Sequence, residues 1–123
     1  MKPFFLTLIA SAALLIEVAA FAHHSAAMFD LEKQLTLNGT VKAFQFTNPH
    51  CWIQLLVRDG NGTAEWSVEM GSPAHLIRSG WKPNTLKPGD KIIVVVHPLR
   101  VGANGGGFVS ATGPDGKPIG TPP

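Results

Sequence analysis

The turn motif Asp59-Gly60-Asn61-Gly62, between two runs of alternating apolar and polar residues, constrains this sequence most. Gly and Asn at the centre of such a motif predict a tight β-hairpin. A one-residue shift of either strand would bring charged side chains into the core, so the register is well specified. Pairing around Gly60 and Asn61 gives one wholly apolar face, made of Cys51, Ile53, Leu55, Val57, Ala64, Trp66, Val68 and Met70.

A long first strand is predicted over residues 35–46. Its alternating pattern is put out of phase by Phe44 and Phe46. Such a phase break indicates a β-bulge or a strong bend, and Gly39 would permit either one.

A short helix follows the hairpin. Ser72 suits the N-cap, Pro73 suits the first helical position, and Gly80 suits the residue beyond the last turn. Two turns fit between these signals, and they offer Leu76 and Ile77 for burial.

The remaining segments complete a fold prediction. Residues 92–96 and 108–112 predict two more strands, with a flexible loop at residues 104–107. The order along the chain is then βββαββ, which is an all-β fold with one short helix and is typical of a small five-stranded OB-like barrel over residues 35–112. A β-sandwich of similar size is the alternative. Residues 113–123, rich in Gly and Pro, predict a disordered tail.

The N-terminus has the three parts of a cleavable signal peptide. Lys2 supplies a positive charge, residues 4–16 are mostly apolar, and Ala20 and Ala22 suit the positions that a signal peptidase reads. The apolar run is shorter than the roughly 20 residues that a membrane span needs. We therefore expect residues 1–22 to be removed on export to the periplasm, leaving an N-terminal arm at residues 23–34 and no membrane attachment. Cleavage after Ala20 and an uncleaved anchor are the alternatives.

Composition bears on two further points, disulfide bonding and nucleic-acid binding. The single cysteine excludes an internal disulfide, so the exported domain must be held together by its core or by a ligand. A net charge of +2 without a basic cluster does not favour a nucleic-acid partner.

Histidines at the expected mature N-terminus suggest a metal site. Cleavage after Ala22 would give His23 a free amine beside its imidazole, and this pair chelates copper. Cleavage after Ala20 would place His23 third from the free amine, and cleavage after Phe21 would place His24 third. In either case backbone amides can complete a square plane around Cu(II) or Ni(II). Nitrogen donors suit copper, nickel and zinc. The alternative is a solvated histidine pair beside a processing site.

The second and third strands predict a ligand patch. His50 shares the outer face with Trp52, and the hairpin register places Glu69 opposite Trp52 and diagonal to His50. OB folds often bind ligands on this face. His50 is therefore a candidate third metal ligand, and Trp52 and Glu69 are candidate ligand contacts. The alternative is that His50 caps backbone groups in the turn after Pro49.

No catalytic motif is present in the sequence. Cys51 lies on the inward face beside Met70, which predicts a buried, inert thiol. His50 points to the opposite face of the strand and cannot activate that thiol. His75, on the helix, and His97 are expected to be structural or solvated.

Six short motifs are spread along the expected mature chain: HHSAAMFD at residues 23–30, LNGTV at 37–41, TNPHCW at 47–52, EMGSP at 69–73, GW at 80–81 and LKPGD at 86–90. Together they resemble a family of short secreted proteins of Gram-negative bacteria that is described only as a domain of unknown function. The resemblance implies a periplasmic location. It implies no activity and no site residues.

Two of these regions, GTVK at residues 39–42 and KPGDK at residues 87–91, are also similar to the small periplasmic copper/silver chaperone of cation-efflux systems. That chaperone is another five-stranded OB barrel, and it binds metal with His, Met and Trp side chains. The resemblance implies His50, Met70 and Trp52 as rough counterparts.

These observations predict a periplasmic, non-enzymatic OB-like binding module that holds copper or another transition metal through His23, His24 and His50. The alternative is an interaction module that binds a peptide, a glycan or a periplasmic partner protein on the face around Trp52 and Glu69. A copper oxidase with a histidine brace is a third possibility.

Overall fold

The computed structural model describes residues 27–121, and these residues form a closed five-stranded barrel with one short helix. The order around the barrel is β1-β2-β3-β5-β4, and β4 pairs back onto β1. The predicted OB-like architecture with the order βββαββ is therefore confirmed. The elements are β1 (Leu35–Gln45), β2 (Trp52–Asp59), β3 (Gly62–Glu69), α1 (Pro73–Arg78), β4 (Lys91–Pro98) and β5 (Gly105–Thr112).

The hairpin formed by β2 and β3 has the predicted register along its whole length. Trp52 lies opposite Glu69 at one end, and Asp59 lies opposite Gly62 at the other. Gly60 adopts a positive φ of 58° at the turn, which glycine does without steric cost. The inward face, predicted to be apolar, supplies fully buried core residues from both strands, Cys51, Ile53, Leu55 and Val68.

Strand β1 is 11 residues long because it pairs with both β4 and β2. Its register with β2 shifts between Val41 and Ala43, so the predicted bulge is confirmed and lies at Lys42. Gly39 lies before the bulge and does not form it. Its role is to let β1 and β2 pack closely. A Cβ atom on Gly39 would lie only 2.6 Å from Cγ of Leu55, so the two strands could not approach as closely with any other residue there.

Helix α1 begins as predicted. The Ser72 hydroxyl accepts a hydrogen bond from the backbone N–H of His75 at 3.3 Å, and Gly80 beyond the helix has a φ of +89°. Leu76 is buried, but Ile77 is 58% exposed. Of the two side chains that the sequence offered for burial, only one is used, because consecutive residues of a helix point about 100° apart and this short helix contacts the barrel on one side.

The barrel is closed by the segment that was predicted to be a flexible loop. Residues 105–107, all glycine, pair in parallel with Ser67, Val68 and Glu69 of β3. A Cβ atom on Gly106 would lie 2.6 Å from the carbonyl oxygen of His97. The loop prediction was wrong at these positions because glycine here permits close approach of backbones.

The C-terminal prediction was also wrong for the described residues. Residues 113–121, which we call the C-terminal strap, fold back along the barrel. The backbone N–H of Ile119 donates to Ala111 and that of Thr121 donates to Ser79, each at 2.9 Å. Ile119 also packs against the core, so the strap is docked by backbone hydrogen bonds and by one apolar side chain.

Trp81 belongs to the core. It is 2% exposed, and its ring makes an edge-on contact with Phe108 at a centroid distance of 5.5 Å and a tilted contact with Phe44 at 5.8 Å. Within residues 27–121, no helix has the length and apolar character needed to cross a membrane. The predictions for the signal peptide and for His23 and His24 concern positions outside the described residues.

Candidate functional site

The residues before β1 form an arm that is fixed along the end of β4. Phe29 makes an isolated β-bridge with Leu99. The backbone N–H of Asp30 donates to Pro98 and that of Arg100 donates to Met28, each at 2.9 Å. The arm therefore has a defined position beside β4 from Met28 onward.

A row of residues crosses the sheet beneath this arm. The strand registers place Trp52 beside Glu69, Glu69 beside Gly107, and Gly107 beside His97. Gly107 has no side chain, and the ring of Phe29 lies over it, 3.3 Å from the position that a Cβ atom would take. The arm thus places an aromatic ring between the positions of Glu69 and His97.

The His50 ring is held by the end of β3. Its Nδ1 atom lies 2.9 Å from the carbonyl oxygen of Met70 and 3.6 Å from Oε1 of Glu69. A carbonyl oxygen only accepts hydrogen bonds, so the neutral ring carries its proton on Nδ1 and keeps a lone pair on Nε2. This is the arrangement that orients metal-binding histidines. It equally satisfies the alternative, that His50 caps a backbone group.

Glu69 is a mostly buried carboxylate. Its side chain is 14% exposed, and its one ion-pair contact within the described residues is the His50 ring at 3.6 Å. No hydrogen bond to the carboxylate is present among residues 27–121. The sequence allowed either a hydrogen bond or a shared ligand between His50 and Glu69, and the Nδ1 side of the ring faces Glu69. The geometry therefore favours Glu69 as an outer partner of His50.

His50, His75 and His97 line a single cleft of about 530 Å³, together with Glu69. The arm contributes Phe29 and Leu31 to its wall, and the strap contributes Thr121. Apolar and aromatic side chains supply the rest of the lining, chiefly Met70, Leu76, Trp81 and Phe108. We call this space the histidine cleft.

His97 was not connected to the patch by the sequence. Its Nδ1 atom lies 2.8 Å from the carbonyl oxygen of Lys33, so its Nε2 atom also keeps a lone pair when the ring is neutral. The hydrogen bond is structural, as expected, but the residue also borders the cleft. Alternation along β4 puts His97 on the outer face, and only the pairing of β4 with the glycines of β5 reveals its neighbours.

Trp52 lines a different space. A hollow of about 100 Å³ lies between Trp52, Met28 and Leu99, and Glu69 contributes to both this hollow and the histidine cleft. The predicted patch is therefore assembled only in part. His50 and Glu69 are in contact, whereas Trp52 is a neighbour of Glu69 on the side of the hollow.

The described residues do not complete a metal site by themselves. No group of three His, Cys, Asp or Glu side chains within residues 27–121 is arranged to hold a metal ion. Met70, implied by the chaperone resemblance, is only 4% exposed and lies in the core. The predicted metal set therefore depends on His23 and His24, which are outside the described residues.

Cys51 has the predicted location. It is a free thiol with no exposed surface, and its sulfur contacts the carbonyl oxygen of Thr47 at 3.8 Å. Burial raises the pKa of the thiol above its ordinary value. The thiolate needed for nucleophilic chemistry is thereby disfavoured.

These features define a small OB-like β-barrel with a cleft of ligand size at one end. The chain belongs to the Family of unknown function (DUF6152), whose model matches residues 11–108 and therefore includes His50, Glu69 and His97. This match confirms the resemblance to a domain of unknown function. No curated protein and no solved structure matches the chain.

Proposed function

We propose that the protein is a secreted periplasmic binding module, and not an enzyme, that holds a transition metal ion between His23, His24 and His50. Copper is the metal that suits this set best, because an amine and neutral imidazoles are its common ligands. The observation that carries the proposal is the His50 ring. Its Nδ1 atom is tied to Met70 at 2.9 Å, which leaves Nε2 available as a ligand.

The length of the arm supports this ligand set. The carbonyl oxygen of Ala27 accepts a hydrogen bond from Nε of Arg100 at 3.1 Å, so the chain is anchored close to the two N-terminal histidines. An extended chain spans at most about 3.6 Å per residue, which keeps the Cα atom of His24 within about 11 Å of that of Ala27. Such a short tether gives the N-terminal ligands a high effective concentration at the barrel end.

The test begins with the N-terminus, because the cleavage site decides which chelate forms. The full chain should be exported with its own leader, and its intact mass should show processing next to His23. Titration with Cu(II) in competition with a chelator of known affinity then measures binding. We expect one ion per chain. Adding one residue before His23, or changing both His23 and His24 to Ala, should abolish tight binding.

His50→Ala tests the barrel ligand. We expect it to weaken Cu(II) binding at least tenfold. His75→Ala is the matched control, since His75 borders the same cleft but its ring nitrogens make no hydrogen bond within the described residues. Absence of binding below millimolar Cu(II), or equal effects of the His50 and His75 variants, would contradict the proposed site.

One observation favours the alternative function, an interaction module for a peptide, a glycan or a partner protein. The hollow beside Trp52 is apolar and has room for a single side chain of a partner. If the metal titration is negative, Trp52→Ala becomes the variant with which a purified candidate partner should be tested for loss of binding.

A further inference from the structure

We propose that the histidine cleft is also a binding site for a small organic amine, a ligand with an apolar or aromatic body and a primary ammonium group held by Glu69. This site does not require the metal ion or the N-terminal histidines. It depends on the walls of the cleft and on the charge of Glu69.

The charge inside the cleft points to a cation. Among the described residues that line the cleft, Glu69 is the only Asp, Glu, Lys or Arg, and its side chain is 14% exposed. A carboxylate taken largely out of water needs donors or a cation to offset its desolvation. Its nearest ion-pair partner among residues 27–121, the His50 ring, is 3.6 Å away and donates its Nδ1 proton to the carbonyl oxygen of Met70. An ammonium group brings both a positive charge and three donors.

Two histidines of the lining also favour a ligand that donates hydrogen bonds. Nδ1 of His50 and Nδ1 of His97 are each committed to a backbone carbonyl, at 2.9 and 2.8 Å. Their Nε2 atoms are therefore acceptors when the rings are neutral. An anionic ligand would meet the carboxylate of Glu69 and two acceptors, so the cleft selects against it.

The apolar lining specifies the rest of the ligand. Phe108, which is only partly buried, presents aromatic surface with the core residue Trp81 packed behind it, and Leu31 of the arm is 61% exposed at the cleft wall. A ligand body in contact with Leu31 would remove this apolar surface from water. Aromatic rings also attract a cation near their faces. The volume of about 530 Å³ lies in the range of small-molecule sites.

The walls of the cleft are fixed by backbone hydrogen bonds. The arm is held by Asp30 to Pro98 and the strap by Thr121 to Ser79, each at 2.9 Å. Phe29 is seated on Gly107, with its ring 3.3 Å from the position of a Cβ atom. Because the cleft is preformed, little free energy is lost in ordering its own segments when a ligand binds.

Three probes of matched shape test the proposal: 4-phenylbutylamine, the neutral 4-phenylbutan-1-ol and the anionic 4-phenylbutyrate. Binding is measured by calorimetry at about pH 7.5, where free imidazole is mostly neutral, with a chelator present so that no metal is bound. We expect the amine to bind about tenfold more tightly than the alcohol. The carboxylate should bind most weakly. Equal affinity of the amine and the alcohol would overturn the proposal.

Glu69→Gln keeps the shape of the side chain and removes its charge. We expect it to abolish the preference for the amine over the alcohol. Glu65→Gln is the matched control, because Glu65 lies on the same face of β3 but pairs with Lys42 at 2.8 Å and does not line the cleft. Persistence of the preference in Glu69→Gln, or its loss in Glu65→Gln, would contradict the role of Glu69.

Two measurements keep this test separate from the metal proposal and from any folding defect. The double variant of His23 and His24 to Ala should bind the amine as the unchanged protein does, whereas it should lose copper. In the unchanged protein, the amine should shift the side-chain nuclear magnetic resonances of His50, His97 and Trp81. Loss of amine binding in the double variant, or shifts confined to residues outside the cleft, would overturn the proposed site.

Discussion

A single hydrogen bond to a backbone carbonyl fixes the ring orientation of two of the described histidines. The Nδ1 atoms of His50 and His97 are each bound to a carbonyl oxygen, from Met70 and Lys33, so Nε2 is the free nitrogen in both rings. His75 makes no such ring contact within the described residues. Three histidines on one cleft therefore differ in how firmly their rings are oriented, and the two oriented rings are the better ligands.

Cys51, the residue after His50, has its side chain on the opposite side of the chain and differs from His50 in exposure. The His50 side chain is 43% exposed, whereas Cys51 is fully buried, because successive residues of an extended chain point to opposite sides. This alternation was visible in the sequence. It separates the nitrogen that can bind a ligand from the sulfur that cannot.

Cys51 should be unreactive in the folded protein. Burial raises the pKa of its thiol above the ordinary value of 9.0, so the neutral thiol is the favoured form. Near neutral pH the thiol is neutral in the folded and in the unfolded protein. As pH rises above the pKa that the thiol has in the unfolded chain, it ionises there first, and the free energy of unfolding falls. Iodoacetamide at about pH 8 should label the denatured chain once and leave the folded chain unlabelled. Rapid labelling under native conditions, measured by mass spectrometry, would contradict the buried position.

At the level of elements, the sequence predicts those parts whose signals are local. The turn at Gly60 and the alternation beside it specify the β2–β3 hairpin, and Ser72 with Pro73 specifies the start of α1. The start of β5 has no such signal. Glycine is equally compatible with a loop and with a strand that packs closely on its neighbours, and only the pairing with Ser67–Glu69 distinguishes the two.

Gly106→Ala tests the packing role of the β5 glycines. The added Cβ atom would meet the carbonyl oxygen of His97 at 2.6 Å and Cβ of Val96 at 2.9 Å, and neither is the end of a flexible side chain. We expect a loss of about 3 kcal/mol in the free energy of unfolding, measured by urea denaturation. Gly62→Ala is the control, since its nearest neighbour would be 3.9 Å away, and it should change stability by less than about 0.5 kcal/mol. Equal effects of the two substitutions would contradict the packing role.

At the level of the whole molecule, the cleft is made by segments that lie far apart in the chain. The arm, the end of β3, α1 and the strap each supply part of its wall. The sequence predicted the contact between His50 and Glu69, because the hairpin alone sets it. It did not predict the cleft, because the docking of the arm and the strap depends on contacts between segments that carry no local signal of their own.

Ile119→Ala tests whether the strap contributes to the stability of the whole barrel. Ile119 is half-buried against the core, and its backbone N–H donates to Ala111 at 2.9 Å. We expect the substitution to lower the free energy of unfolding by about 1–2 kcal/mol, because part of a buried side chain is lost. Lys117→Ala, at an exposed position of the same strap, should leave stability within about 0.5 kcal/mol of the unchanged protein. A strap that only rests on the surface would give equal, small effects for both.

The glycine pairing that closes the barrel is also its shortest ladder. Three residue pairs join β3 to β5, against eight between β2 and β3. A transient opening of the barrel is therefore easiest at this seam, and its backbone amides are the first to become available for exchange with solvent. Each opening would leave two strands with unpaired edges, which are templates for pairing with a second chain. The glycine segment that closes the barrel therefore also determines how often the unpaired edges of β3 and β5 are exposed to a second chain.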